Sequence, residues 1–558
     1  MKKIFKIISL SLSSILLFGT LAACGAKPKS DAVTLTFYRG YDTGMVDGSE
    51  DPVVKKAIEE KFLADTGIKI NLVTKLYMGD DFTSTVNMTW TKRTSDIDAV
   101  VDHIAEGGML LSYTKEKDTV VDYGPILEEY GQNILKYVRM DDTDHIAERS
   151  AYVEIDGEYK MNMIPSVYSE KGYSMIIRKD VWRDLYQSGK VALNPDDYDV
   201  MSTDYKNLSL EEFNSILYAM KEVNSIKYPF MGYPWDVQRV LGPLFDLPFY
   251  NALHLADGSY APFQFSAKFG DYLDMLWTWA RDGIWEKEST TITDEVRLQY
   301  FLTGQSAVYI TYPEISNLIS AARGLKAFNS DAEVMMLAPF KDGEGTVKGY
   351  NKFEKSFAGV FSPTKTENAE LVVKFIDWLY SDVENYELAA YGIKGTHWVE
   401  GEDFTLGEKT YKTWAYPASK EEQYTEQPPY SGCYLVLRNV NVSNRIREDY
   451  NNMEKRWYAL ATDIFPVFKE EGSAEGIWYA DAPRSMTYGA TKLDNDFVSN
   501  VRNIAWSGTG KTVPSELLTS YISAMYADNA VSTYLTFIND SVQKNLTGLM
   551  AKLNGAGE

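Results

Sequence analysis

The hydrophobic pattern of the first part of the chain switches repeatedly between strand and helix periods. Residues 32–41 (AVTLTFYRGY) alternate, which predicts a strand running into a loop. Residues 51–67 repeat apolar positions at helical spacing, with Asp51 as the predicted cap, Pro52 at the first helical position and Gly67 at the end. A strand (IKINLVTK), a helix (FTSTVNMTWTKRTS) and a strand (DIDAVVDH) follow. This order predicts a mostly parallel sheet covered by helices.

The alternation continues through the middle of the chain. A strand (YSMIIRKD) leads into a helix, and Ser209 with Glu212 three residues later predicts a capping box for the next helix. The helix DYLDMLWTWARDGIW places Trp277 and Trp279 two positions apart, so only one of them can face the core. Two strands (AVYIT, EVMM) and a strand–turn–helix unit follow, and the tail beyond Asn439 is predicted to be mostly helical. The capping-box helix carries one apolar stripe, formed by Phe213, Ile216, Leu217 and Met220.

The first residues of the chain do not fit this α/β pattern. Three lysines precede an uncharged run, residues 7–23, and this combination predicts a secretory signal over residues 1–23. The run carries four serines and a glycine, which disfavours a permanent transmembrane helix of ~20 apolar residues. Residues 21–24 (LAAC) resemble the bacterial lipobox, in which the cysteine is lipidated, so Cys24 is the predicted attachment point and residues 24–31 a lipidated linker. The alternative is an ordinary signal peptide with a chance cysteine.

Composition narrows the functional classes. The formal net charge is −23, and removal of the signal's three lysines takes it to about −26, which argues against nucleic acid as a partner. Tyrosine and tryptophan are abundant, at 39 and 12 residues, and such side chains serve either cores or stacking surfaces. Cys433 has no intrachain partner once Cys24 is lipidated, so it is predicted to be a small buried hydrophobe.

Five stretches, taken in order, resemble one bacterial family. They read VKKAIEEKFLADTGIKINL, YSMIIRKDVWRDL, SLEEFNSILYAMKE, FLTGQSAVYI and YGIKGTHW. With the lipobox, this set resembles extracellular solute-binding protein family 1, the lipoprotein substrate-binding components of carbohydrate ABC importers. The stretch GIKGTHW looks like the G-I-x-G-x-H-W sequence of the oligosaccharide-binding lipoprotein branch. The resemblance implies an α/β, two-lobe periplasmic-binding-protein (Venus-flytrap) fold with several interlobe crossovers and a helical C-terminal region.

The resemblance also implies a domain division and a function. Lobe one would take residues 32–165 plus 349–391, and lobe two with the helical tail would take 166–348 plus 392–558. The chain would be a monomeric receptor, lipid-anchored on the outside of the membrane of a cell without an outer membrane. It would bind a sugar, an oligosaccharide, between its lobes and deliver it to the transmembrane subunits of an ABC permease. The alternatives are a tethered glycoside hydrolase and a tethered sugar sensor or adhesin.

Signals for catalysis and for cofactors are weak. The chain has four histidines and no H-E-x-x-H, no G-x-S-x-G and no Cys/His cluster, so we expect a non-enzyme, although paired acids of a glycosidase are not excluded by counting. The stretch SGTGKT imitates a phosphate loop, but Ala505 stands where the first glycine is required, so a turn between tail helices is predicted. Many relatives carry a calcium loop after the capping-box helix. Here that stretch has one acid, Glu222, so we predict no calcium and no other cofactor.

Candidate ligand-binding residues follow from sugar chemistry. A neutral sugar offers apolar faces to aromatic rings, and a rim of hydroxyls to carboxylates, amides and guanidinium groups. Such side chains at strand ends are the candidates, because ligands of α/β sheets bind there. The alternative for each of them is an ordinary core or surface position. The candidates are Tyr38, Arg39, Tyr41, Asp102, His103, Tyr168, Trp235, Asp236, Tyr309, Tyr312, His397 and Trp398.

Overall fold

The computed structural model describes most of the chain in eighteen stretches. The predicted signal sequence, Cys24 and the predicted linker lie outside them. Among the described helices, none combines the length and the apolar character that a membrane span needs. The described residues are 32–40, 48–77, 79–90, 96–103, 119–140, 145–149, 151–155, 158–167, 173–232, 234–247, 252–254, 259–288, 291–311, 315–350, 358–466, 492, 495–544 and 548–553.

Lobe one is built on a five-stranded sheet. Its strand order is β2-β1-β3-β13-β6, with β1 parallel to β2 and β3, and β13 antiparallel to β3 and β6. The predicted parallel β-α-β-α-β unit is therefore confirmed. Its elements from the first part of the chain are β1 (Val33–Gly40), α1 (Asp51–Thr66), β2 (Ile70–Tyr77), α2 (Gly79–Trp90), β3 (Ala99–His103), α3 (Gly124–Tyr130), α4 (Gln132–Arg139), α5 (Ile146–Arg149), the hairpin β4 (Tyr152–Ile155) and β5 (Glu158–Met161), and β6 (Ile164–Pro165). Three elements from later in the chain complete the lobe: β13 (Ala358–Phe361), α12 (Ala369–Ser381) and α13 (Val383–Tyr391).

The start of α1 differs from its prediction in one detail. Pro52 sits in the first turn and Gly67 ends the helix, as expected, but Glu50 is the residue that precedes it. The predicted cap, Asp51, is the first helical residue, and its carboxylate accepts hydrogen bonds from the Ser431 N–H at 3.0 Å and the Ser431 hydroxyl at 2.8 Å. The prediction that Asp51 caps α1 is therefore wrong, because its carboxylate is held by a distant loop.

Lobe two is built on a four-stranded sheet. Its order is β12-β7-β11-β8, with β11 parallel to β8 and antiparallel to β7, and with β12 antiparallel to β7. Its elements are β7 (Ile176–Arg178), α6 (Lys179–Gln187), α7 (Leu210–Lys221), β8 (Tyr228–Met231), α8 (Pro234–Leu241), the hairpin β9 (Ala252–His254) and β10 (Tyr260–Pro262), α9 (Ala267–Asp282), α10 (Asp294–Leu302), β11 (Ser306–Tyr309), α11 (Ile315–Phe328) and β12 (Val334–Met336).

The helices of lobe two form as their sequences predict. Ser209 and Glu212 make the reciprocal capping box at the start of α7, with bonds of 3.1 and 2.7 Å, and its four-residue apolar stripe is fully buried. On α9, Trp279 lies in the core, whereas the Trp277 indole donates to the Thr509 carbonyl at 2.8 Å, beneath the turn SGTGKT. That stretch joins two tail helices, which confirms the predicted turn between them.

The remaining part of the chain forms a small sheet and a helical tail. The sheet order is β14-β17-β18, beside the hairpin β15–β16. The prediction of a mostly helical tail is confirmed. The elements are β14 (Val399–Glu400), β15 (Phe404–Leu406), β16 (Lys409–Tyr411), β17 (Thr413–Ala415), α14 (Glu421–Glu426), β18 (Ile446–Arg447), α15 (Asn452–Ala459), α16 (Asn503–Ser507), α17 (Pro514–Ala527), α18 (Asn529–Lys544) and α19 (Met550–Leu553).

Two hydrophobic cores define the lobes. The first core collects residues between Leu35 and Val167, between Val360 and Ala389, and between Tyr430 and Leu437. It includes Cys433, which is 5% exposed and whose thiol pKa burial raises to about 11, so the predicted buried hydrophobe is confirmed. The second core collects residues between Tyr173 and Tyr350, together with Tyr411, Ile446 and tail positions from Trp457 to Leu535. The chain thus passes between the two cores several times.

Candidate functional site

The two sheets present their carboxyl edges to the passages that join the lobes. In the first sheet β6 runs with β1, β2 and β3, because β3 and β6 are both antiparallel to β13. In the second sheet β12 runs with β8 and β11, because β11 and β12 are both antiparallel to β7. The first passage leaves the carboxyl end of β6 and enters the amino end of β7, beside the carboxyl ends of β11 and β12. Since ligands of α/β sheets bind at carboxyl edges, the region between these edges is the candidate site.

Backbone hydrogen bonds tie the passages to one another. The Val167 N–H donates to the Arg438 carbonyl at 3.1 Å, and the Val440 N–H donates to the Val167 carbonyl at 2.9 Å. At the lobe-two end, the Leu337 N–H donates to the Met175 carbonyl at 3.0 Å. The passage through residues 438–446 was not foreseen from the sequence. It runs beside the first passage as a parallel neighbour, through the bridge between Val167 and Asn439.

Tyr38, near the carboxyl end of β1, is held by a polar cluster with Lys75 and Asp96. Its hydroxyl donates to Asp96 at 2.9 Å and accepts from the Lys75 ammonium at 3.1 Å, and its ring lies 5.3 Å from that of Tyr77. Desolvation raises the pKa of Tyr38 to about 12, so its hydroxyl stays protonated at neutral pH. The side chain is 3% exposed, which places it beneath the edge rather than on its surface in this conformation.

The other candidates of lobe one lie around the same edge. Arg39 is half-buried, and its guanidinium donates to the Leu435 carbonyl at 3.0 Å. Asp102 and His103 end β3, where they pair in register with Gly359 and Ala358 of β13. The positions of their side chains lie outside the described part of the structure, as do residues 41 and 168. The backbone thus brings Arg39, Asp102 and His103 to one edge of one sheet.

Asp236 lies in a buried charged cluster at the facing edge of lobe two. It belongs to α8, which begins just after β8, and it is 4% exposed. The Arg239 guanidinium donates to its carboxylate at 3.2 Å, and that guanidinium also lies 4.7 Å from the ring centroid of Tyr173. Asp294 and Arg297 on α10 form a second pair at 2.5 Å and act on Asp236 through space. Desolvation outweighs both arginines and raises the pKa of Asp236 to about 6.

Tyr309 ends β11 at the same edge. It is 4% exposed and stacks on Phe301 of α10 at 5.2 Å. Burial raises the pKa of Tyr309, with Asp294 and Asp236 adding to the effect. Trp235 stands beside Asp236 on α8, but its side chain lies outside the described positions, and so does residue 312. The structure therefore brings Asp236 and Tyr309 together at the carboxyl edge of the second sheet.

His397 and Trp398 lie in the tight turn GIKGTHW after α13, and the ring of His397 is 6.5 Å from that of Tyr430. The His397 Nδ1 accepts from the Ile393 N–H at 2.9 Å, and the Trp398 indole donates to the Gly392 carbonyl at 2.9 Å. Gly392 has φ 84°, and an added Cβ would lie 3.0 Å from the His397 ring, so glycine is required. His397 is 1% exposed and Trp398 2%; desolvation lowers the pKa of the His397 imidazole.

Three residues of this site were missed by the sequence reasoning. Arg239 and Arg297 form the charged cluster with Asp236, and Tyr173 carries the stacked guanidinium. The stretch WDVQR places an aspartate and an arginine three residues apart on one helical face, which was the available signal for Arg239. Among the described residues, no group of three His, Cys, Asp or Glu side chains gathers as a metal site requires.

No protein-family model and no curated protein matches the sequence. Solved structures do match over nearly the whole chain. An extracellular solute-binding protein from Bifidobacterium longum subsp. infantis shares 13% identity at a TM-score of 0.65, covering 92% of this chain and 99% of its own. The chain has the solute-binding-protein fold.

Two further structures have the same fold. An HMO-binding, ABC-transporter-associated solute-binding protein from Bifidobacterium longum infantis shares 12% identity at a TM-score of 0.64, covering 93% of this chain and 100% of its own. The N-glycan transport solute-binding protein NgtS from Streptococcus pneumoniae shares 12% identity at 0.62, covering 92% and 99%. At these identities the likeness establishes the architecture, which confirms the predicted α/β two-lobe fold with several crossovers and a helical carboxyl-terminal region.

Proposed function

We propose that the chain is an extracellular receptor that binds an oligosaccharide between its two lobes and delivers it to an ABC permease. The observation that carries this proposal is the pair of facing carboxyl edges, joined by several passages, within a solute-binding-protein fold. That fold changes by hinge bending about the passages, and a ligand that contacts both lobes favours the closed arrangement. The chain acts as a monomeric carrier and not as an enzyme.

A carbohydrate is the favoured ligand for two reasons. The structures with the same fold include one named for N-glycan transport and one named for binding HMO. The residue types at the two edges suit a sugar. Arg39 and the strand end at Asp102 and His103 lie at the edge of lobe one, and Trp235 and Asp236 begin α8 at the edge of lobe two. Aromatic rings cover sugar faces, and charged or amide groups bind sugar hydroxyls.

The domain division given above belongs to this proposal. Lobe one takes residues 32–165 plus 349–391, and lobe two with the tail takes 166–348 plus 392–558. The cores adjust this division at two places, because residues 430–437 pack in the first core and Tyr350 packs in the second. Hinge bending then occurs in the stretches that cross between them. The candidate ligand-binding residues of both lobes contact the ligand together only when these stretches bend and the lobes close.

The function is tested by calorimetry against a panel of neutral and acidic oligosaccharides, with chromatography of the same mixtures. Micromolar binding, about 8 kcal/mol, without shorter products is the expected result. Shorter products would establish a glycoside hydrolase instead. If the purified protein binds a sugar, but a strain that lacks the protein takes up that sugar as well as the parent strain does, the protein would be a sensor.

The membrane anchor is a separate part of the proposal. We infer that Cys24 is lipidated after removal of residues 1–23, because residues 21–24 resemble the bacterial lipobox. Two or more acyl chains on this cysteine would hold the protein stably at a membrane. The tether keeps the loaded receptor at a high effective concentration near its permease. Cys24→Ser should release the protein into the medium or stall its processing, with ligand affinity unchanged. Processed, membrane-bound Cys24→Ser protein would contradict the anchor.

A further inference from the structure

The last described residues of the chain contact a different lobe from the helices that precede them. The tail helices α17 and α18 belong to lobe two, because Leu518, Tyr521, Val531 and Tyr534 are buried in the second core. The start of α18 is capped by Asp528, whose carboxylate accepts from two backbone N–H groups of the first turn. The segment that follows, Gly548–Leu553, is named the strap below.

The strap packs against lobe one. A Cβ added at Gly548 would lie 2.8 Å from the Tyr159 hydroxyl oxygen and 3.4 Å from its ring carbon Cε2, so the glycine backbone sits directly on the tyrosine ring. Tyr159 belongs to β5, whose next-but-one residue, Met161, is buried in the first core. Leu549 is 3% exposed but belongs to neither core. The strap therefore contacts lobe one at Gly548, and the next residue along the chain, Leu549, is buried.

The covalent length between the two attachments is short. Four peptide units separate the end of α18 at Lys544 from Gly548. Because an extended chain advances ~3.3–3.6 Å per residue, this connection spans at most about 14 Å. Any opening that moves β5 further than this from the end of α18 must first detach the strap or unpack α18. The connection therefore sets an upper limit on lobe separation while both contacts hold.

We propose that the strap is an interlobe brace, which limits how far the two lobes open through the contact of Gly548 with Tyr159 of the hairpin β4–β5. The brace acts beside the passages, at a third point of contact between the lobes. Restricting the open arrangements lowers the free-energy cost of closing on a ligand, which raises apparent affinity. This last consequence rests on the proposed function, whereas the limit on opening does not.

The brace is tested by small-angle X-ray scattering of the unliganded chain. Two variants remove it independently, a stop codon after Lys544 and Tyr159→Ala. Tyr186→Ala is the matched control, because Tyr186 is a surface tyrosine of α6, 40% exposed. We expect the radius of gyration to rise by about 1 Å in both brace variants and not in the control, against about 24 Å for a compact chain of this length. Circular dichroism identifies variants that keep their fold.

The affinity for a sugar is the second measurement that tests the brace. Once calorimetry has identified a binding sugar, both brace variants should bind it roughly tenfold more weakly, equivalent to about 1.4 kcal/mol. An unchanged radius of gyration in the folded, truncated chain would overturn the brace. Failure of every sugar to bind would refute the proposed function, yet the scattering result would still decide the brace, so the two failures are distinguishable.

Discussion

Replacing Asp236 with asparagine should stabilise the protein at neutral pH and leave it nearly unchanged in acid. The carboxylate is almost fully buried, and its attraction to Arg239 and Arg297 does not compensate for lost hydration. Asparagine has nearly the same shape as the protonated acid and carries no charge. The variant therefore removes the cost of holding a negative charge in this cluster while keeping the packing of α8.

The size of the effect follows from the two pKa values. The folded-state pKa of Asp236 is about 6, against 3.8 in its ordinary state, so the folded protein binds this proton more tightly than the unfolded chain does. Stability from this group is therefore gained as the pH falls from about 7 to below 4. Each unit is worth 1.36 kcal/mol, which gives the variant an advantage of about 3 kcal/mol at pH 7.5 and about 1.5 kcal/mol at pH 5.

The assay is urea unfolding followed by tryptophan fluorescence, with the two proteins compared at pH 7.5, 6, 5 and 4. Asp282→Asn is the matched control. The hydrogen bond from Tyr218 lowers the pKa of the Asp282 carboxyl, so its replacement should destabilise the protein at pH 7.5, and this deficit should vanish as the pH falls. The two variants thus predict pH dependences of opposite sign in one protein.

Two outcomes would refute the reasoning about Asp236. An advantage that does not depend on pH would mean that packing, not charge, explains the variant. A variant less stable than the parent at pH 7.5 would mean that the ion pair with Arg239 outweighs desolvation, which contradicts the direction derived from the burial of the cluster.

Three further substitutions test the local structure by urea unfolding at pH 7.5. Ser209→Ala should cost about 1 kcal/mol, because it removes the capping box of α7, and Ser209→Asp should restore most of this. Glu387→Ala should cost about 2–3 kcal/mol, because it removes the nearest anionic partner of the buried Arg445 guanidinium, at 2.6 Å, and leaves it only the more exposed Glu400 at 3.2 Å; a cost below 1 kcal/mol would show that water reaches this pair. Gly392→Ala should cost about 1–3 kcal/mol through its left-handed backbone and the His397 ring, and an unchanged midpoint would mean that the turn relaxes freely.

Local signals in the sequence were sufficient for much of the fold. The alternating period of β1, the helical period of α1 and the capping box at Ser209 each depend on residues within one element, so the structure matches them. The order of strands and helices then limits the sheet to a mostly parallel arrangement. The ordered set of family-like stretches supplied the two-lobe architecture, which no single element specifies.

Contacts between distant residues explain what the sequence could not show. The carboxylate of Asp51 is held by Ser431, 380 positions later, and no local pattern announces that partner. Arg445 pairs with Glu387 and lies 5.1 Å from the ring centroid of Trp398, which buries a tryptophan that sequence reasoning placed at the ligand. That Trp398 contacts ligand stays a prediction. Its aromatic character alone does not tell whether its ring packs against protein or against a ligand.

The interleaving of the two cores has a consequence for the order in which the chain folds. The first core needs β13, which lies between β3 and β6, and it also needs Tyr430 to Leu437. Residues 173–350, which make most of the second core, come between these pieces in the chain. A chain that emerges from its amino end therefore holds an unfinished first sheet, with two unpaired edges, while the inserted lobe forms. We expect a chaperone to be needed by the incomplete first sheet of lobe one, although the strands of this lobe emerge first.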